Sequence, residues 1–185
     1  MLTKKDLQIY KISSKDDSRP ILECVQVKLV DGFIRLAATD SYTLEERTIP
    51  LNTDQPEGYR PDFEEMLIHR EDLERIDKVM GKDHLATIHN GEVKIYKGDQ
   101  FKFGMTFKPF DASFPKYDEL GMTKIKEAPC KEVIVDPKLL AKMCDQASGS
   151  NGYRIHVQSA LAPVVITTDR ENGGTITLLV MPLKK

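Results

Sequence analysis

Residues 66–107 read MLIHREDLERIDKVMGKDHLATIHNGEVKIYKGDQFKFGMTF, and this run sets the fold. The apolar MLI (66–68) forms a short strand leading into Glu71 and Asp72, acids that suit the positive end of a helix. Leu73, Ile76 and Met80 recur at three- and four-residue spacing, which lays one apolar face along that helix. Gly81 stands where a C′ glycine would end it. LATIH (85–89), VKIYK (93–97) and FKFGMTF (101–107) follow as strands, parted by turns at Asn90-Gly91 and Gly98-Asp99. The order is βαβββ.

The same order returns further on. VIV (133–135) is a strand, and Pro137 sits at a first helical position. Leu139, Leu140, Met143 and Ala147 form the helix stripe, with Gly149 as its stop. YRIHVQ (153–158), PVVITT (163–168) and TITLLVMPL (175–183) are strands, and Asn172-Gly173-Gly174 is a hairpin turn. An offset of 67 residues sets Ile68 on Val135, Leu73 on Leu140, Ile76 on Met143, Ile88 on Ile155 and His89 on His156. Repeated supersecondary units explain such self-similarity.

A third copy, worn at its start, occupies the first 51 residues. CVQVKLV (24–30), FIRLAA (33–38) and the stretch 44–51 make a meander, turned by Asp31-Gly32 and the polar TDSYT (39–43). Thr3 can cap a short helix, with Asp6 answering from N3. The connectors are 52–65 and 108–132, and the length of the second makes it a boundary. The chain divides into a two-unit domain (1–120), a linker (121–131) and a third unit (132–185). The fold class is α+β, with antiparallel sheets and helices on one face.

At 185 residues, 40% hydrophobic and 30% charged, the chain has an ordinary globular composition and needs no disulfide staples. A net charge of −2 excludes a uniformly basic nucleic-acid coat but leaves room for local basic surface. Cys24, Cys130 and Cys144 lack paired spacing, so they read as buried or idle thiols in a reducing compartment. MLTKKDLQIY has no apolar secretory core, and no stretch approaches a membrane span, so a soluble cytoplasmic protein is expected.

Chemistry leaves few marks. His69, His84, His89 and His156 are scattered, and the last two hold equivalent strand positions that favour a structural role. No metal-binding HExxH, nucleophile elbow or phosphate-cradling loop occurs. The expectation is a protein that is not an enzyme and needs no cofactor or metal. Segment 71–82 carries net charge −1, with Arg75, Lys78 and Lys82 toward its later half. Segment 137–147 carries +1, through Lys138 and Lys142 against Asp145. Those five basic residues are the candidates for facing DNA phosphates.

Three motifs in order resemble a known family, the bacterial DNA polymerase III beta subunit or sliding clamp. Thr39-Asp40-Ser41-Tyr42-Thr43-Leu44 resembles the family's Thr-Asp-Gly-His-Arg-Leu segment. Phe114-Pro115-Lys116-Tyr117 is similar to its Phe-Pro-Asp-Tyr, and Leu179-Val180-Met181-Pro182-Leu183 to its terminal Val-Met-Pro-Met. The resemblance implies βαβββ pairs with helices lining a ring, and a hydrophobic cleft that receives short peptides of DNA polymerase or other clamp-binding proteins. It places in that cleft Leu22, Thr39, Ser41, Tyr42, Leu44, Pro115, Leu120, Leu179, Met181, Pro182 and Leu183. Methionine suits such an adaptable surface.

Departures stand beside the likeness. Ser41 and Tyr42 replace Gly and His, and Asp118-Glu119 replaces an expected basic residue. Only three units are present, where about six make a full clamp chain. If roughly twelve units close a ring, four copies would be needed, a homo-tetramer around non-specific double-stranded DNA. The alternative is a protein-binding module without a ring that keeps the cleft and sequesters or regulates clamp-binding proteins.

Overall fold

The computed structural model describes residues 1–51, 59–117, 133–146, 152–170 and 173–183. The N-terminal unit opens with strand β1 (Leu2–Thr3), helix α1 (Lys4–Leu7) and a 3-10 turn over Gln8–Lys11. Thr3 caps α1 as its sequence foretells: its hydroxyl accepts from the Asp6 N–H, and the Asp6 carboxylate accepts from the Thr3 N–H at 2.8 Å. Strands β2 (Cys24–Val30), β3 (Phe33–Thr39) and β4 (Thr43–Pro50) form the expected meander. Asp31 and Gly32 both have positive φ, 49° and 80°, as a type I′ hairpin turn requires.

The second unit contributes β5 (Glu65–His69), α2 (Arg70–Val79), β6 (Leu85–His89), β7 (Glu92–Lys97) and β8 (Gln100–Thr106). Its helix does not end on a left-handed Gly81. Met80 leaves the last turn extended, at φ −76° and ψ 124°, because its side chain is drawn into the core. The Gly81 N–H instead donates to His84 Nδ1 at 3.0 Å. Across the helix pair, Asp77 of α2 accepts from Gln8 and from the Tyr10 hydroxyl, each at 3.0 Å. Burial and that bond to Asp77 push the Tyr10 pKa up to about 12.

In the third unit, α3 (Pro137–Gln146) starts at Pro137, and β9 (Arg154–His156), β10 (Val164–Asp169) and β11 (Thr175–Val180) follow. Three expectations need correction. Residues 133–135 are not a strand: Ile134 makes one backbone bond, accepting from the Leu183 N–H at 2.8 Å, where MLI finds a full ladder on β2. The strand expected over 153–158 shrinks to its three residues paired with β10. The final strand stops at Val180, beyond which Met181 to Leu183 are not strand. The hairpin between β10 and β11 is as expected, closed by Arg170 N–H to Gly174 O at 2.8 Å. Ala147, Gly149, Cys130 and most of the second connector lie outside the described residues.

The described residues form two sheets, ordered β1-β6-β7-β8 and β5-β2-β3-β4-β11-β10-β9. The seven-stranded sheet is continuous across units because β11 pairs antiparallel with β4, Thr48 opposite Thr175 through Thr43 opposite Val180. Side chains alternate between its faces. Val25, Val27, Leu36, Met66, Ile68, Ile166 and Leu178 pack into the main core with the helices. Cys24, Ala37, Leu44, Leu67, Val165 and Leu179 form a second cluster on the other face, covered by Phe114 and Tyr117. Those two rings meet edge-on at 6.0 Å.

Candidate functional site

The turn from β3 to β4 builds one wall of the candidate site. Asp40 Oδ1 accepts from the Tyr42 N–H at 3.0 Å, the Thr43 N–H at 2.8 Å and the Thr43 hydroxyl at 2.9 Å. This side-chain-to-backbone pattern locks the turn. Thr39 adds a bond from its hydroxyl to Thr43 O at 2.7 Å, and Ser41 takes a left-handed φ of 78°. Held this way, the turn throws Tyr42 outward, where it is 66% exposed.

The adjoining wall follows from the sheet register. Leu44 lies opposite Leu179, and just beyond Val180 the Met181 N–H donates to Tyr42 O at 3.1 Å. Met181 and Leu183 are 41% and 49% exposed, so neither is a core side chain. Tyr42, Met181 and Leu183 are therefore apolar groups left at the surface where the first and third units join.

A cleft of about 650 Å³ opens beside Tyr42, with the buried Leu22 in its lining. Ser13, Ser14, Lys15, Asp40 and Lys142 also line it. Lys142 Nζ pairs with Asp40 Oδ2 at 2.8 Å and donates to Ile12 O at 3.3 Å. Burial pushes the Asp40 carboxyl up, yet the bonds from Lys142 and from Thr43 outweigh it and hold the group below the usual carboxylate range. Lys11, Asp16 and Arg19 complete the rim, and Arg19 Nη1 donates to Ser41 Oγ at 3.1 Å.

The residues assigned from sequence fall into three groups. Leu22 and Tyr42 line the cleft, Ser41 reaches it through its bond from Arg19, Thr39 is buried in the turn behind, and Met181 is bonded to Tyr42 through its backbone. Leu44 and Leu179 are buried beneath Phe114 and Tyr117, while Pro115 between those rings is exposed. Pro182 is half-buried, Leu183 bonds back to Ile134, and Leu120 lies outside the described residues. Reading the sequence missed Lys11, Ser13, Ser14, Lys15, Asp16, Arg19 and Asp40. The run Ser13-Ser14-Lys15-Asp16-Asp17-Ser18 carries a turn signal: Asp16 accepts from the Ser18 N–H, and Ser14 Oγ from the Asp16 N–H, both at 3.0 Å.

The five basic candidates for DNA do not share one setting. Arg75 pairs with Asp72, and Lys78 with Glu74 at 3.0 Å, so α2 answers much of its own positive charge. Lys82 and Lys138 are exposed, and Lys142 sits in the cleft with Asp40. Among the described residues no group of three His, Cys, Asp or Glu side chains converges as a metal site, and no helix is long and apolar enough to cross a membrane.

No family model and no curated protein matches the sequence. Solved structures do match. The beta subunit of the Streptococcus pyogenes DNA polymerase superposes with a TM-score of 0.69 at 16% identity, covering 100% of this chain and 65% of that one. The fold is that of a DNA sliding clamp. The Bacillus subtilis clamp gives a TM-score of 0.70 at 15% identity over 100% of this chain and 63% of its own. The Streptococcus pneumoniae DNA polymerase III beta chain gives 0.70 at 18%, over 100% and 64%. The chain thus spans about 65% of the length of the clamp structures it matches. The resemblance read from three short motifs holds at the level of fold, as does the α+β class with antiparallel sheets.

Proposed function

We propose that this clamp-fold chain holds short linear peptides of a DNA polymerase or other replication and repair proteins, acting as a processivity-type tether and not as a catalyst. The observation that carries the reading is the pairing of exposed Tyr42 and Met181 beside a cleft of about 650 Å³, at the junction of β4 and β11. Peptide grooves of this kind draw most of their affinity from a few buried apolar anchors. Met181→Ala is therefore expected to weaken a clamp-binding peptide roughly tenfold in fluorescence anisotropy, about the 1.4 kcal/mol of one modest anchor. Unchanged affinity would remove Met181 from the site.

Ring formation around double-stranded DNA belongs to the same proposal. With residues 1–120 as a two-unit domain, 121–131 as a linker and 132–185 as a third unit, closure calls for about four chains. Among the described residues β8 and β9 end their sheets, which supports assembly, since Phe101 and Ile155 on them are exposed. A second reading is a ring-free module that binds peptides and sequesters their owners. It is favoured by the charge on α2, where Arg75 and Lys78 are already paired with Asp72 and Glu74. Light scattering with and without circular DNA separates the two: a tetrameric mass retained on DNA supports the ring, and a monomer indifferent to DNA supports the module.

A further inference from the structure

The cleft has a charge pattern that its fold does not dictate. The chain as a whole carries −2, yet the rim brings Lys11, Lys15 and Arg19 together against the single carboxylate of Asp16. Asp16 is turned onto its own loop, accepting the Ser18 N–H at 3.0 Å. The one other acid in the lining, Asp40, is matched by Lys142 and three bonds from its turn. Glu74 of α2, the nearby acid whose carboxyl Lys15 helps to hold low, is itself bonded to Lys78 at 3.0 Å. Among the described residues the lining therefore holds an excess of two positive charges beside the apolar surfaces of Leu22, Tyr42 and Met181, with Asp17 of the same loop exposed outside it.

Resting on the peptide-cleft reading above, we propose that the occupant is an extended acidic peptide: apolar anchors settle against Leu22, Tyr42 and Met181, and flanking carboxylates meet Arg19, Lys15 and Lys11. Charge complementarity of this type sets partner choice and encounter rate more than total affinity. The guanidinium of Arg19 suits a carboxylate, because its donors form a planar fork and among the described residues only one is engaged, with Ser41 Oγ.

The test uses the full chain and three fluorescein-labelled peptides that share a Leu-Leu anchor pair and differ only in flanking residues: aspartate, asparagine or lysine. At low salt the aspartate peptide should bind about three- to tenfold more tightly than the asparagine one, and the lysine peptide most weakly. The gap between the first two should close as salt approaches about 1 M. In the variant Lys15→Gln with Arg19→Gln, the aspartate and asparagine peptides should bind alike. Equal binding of the two by the unaltered chain, or a preference that survives in the double variant, overturns the acidic specificity and leaves the cleft reading standing. No binding of any peptide overturns both. A short DNA duplex that displaces the aspartate peptide assigns the rim to phosphates and likewise overturns the proposal.

Discussion

Ser41 carries a backbone conformation that L-residues seldom adopt, φ 78°, at a place where the resemblance to clamps puts a glycine. The turn tolerates it because Asp40 and Thr39 fix both flanks and Arg19 bonds the Ser41 hydroxyl. Ser41→Gly is expected to be neutral or to stabilise by up to about 1 kcal/mol, and Ser41→Val to cost about 2 kcal/mol, in urea unfolding. Asp40 gives a pH dependence. Its folded pKa is lowered, so its contribution is complete above the unfolded value of about 3.9 and is lost as pH falls through the folded one. Asp40→Asn should flatten the acid limb of stability below about pH 4, seen in urea midpoints across that range. At this scale the sequence was legible wherever one short motif decides a geometry, as in the Thr3–Asp6 box. It was opaque where the partner is distant: nothing near Lys142 announces Asp40, and nothing in Glu71-Asp72 announces that His69 Nδ1 accepts the Glu71 N–H.

Between elements, one buried and one partly buried ion pair join β4 and the end of β10 to the helix side of the sheet among the described residues. Arg47 of β4 bonds Glu45 and the carbonyl of Lys5, and Arg170, just past β10, pairs with Asp6 of α1. Burial pushes the Glu45 carboxyl up, and the Arg47 charge opposes it. Because Asp6 is only 1% exposed, Arg170→Ala leaves a buried carboxylate with Thr3 as its partner and no opposing charge, and should cost about 3 kcal/mol in chemical unfolding. Adding Asp6→Asn should restore part of that loss; no recovery would mean that the arginine acts through packing alone. Most of the element order was readable from periodicity and turn residues, since those signals are local, the strand expected at 133–135 being the exception. Equivalence between units was not. Ile88 and Ile155 align by sequence, yet Ile88 is fully buried and Ile155 is 62% exposed. The difference lies in the neighbours: β6 is flanked by β1 and β7, whereas β9 ends its sheet.

For the molecule as a whole, the joining of first and third units was the least legible feature. No local pattern tells Thr43–Pro50 to pair with a strand more than a hundred residues away, and the register of β4 on β11 emerges only from the assembled sheet. That register has a consequence in time. A chain synthesised at about 5–20 residues per second leaves the outer edge of β4 waiting roughly 6–26 s before residues 175–180 exist to cover it. A bare strand edge is a template for wrong pairing, and charged side chains that point inward are one guard against it. Glu45 and Arg47 occupy that position on β4. Replacing both by leucine is expected to leave mature, refolded protein at least as stable while increasing aggregation of newly made chains, measured as soluble yield in cell-free translation. A pair that looks costly in the finished molecule would then be justified by the seconds before it is finished.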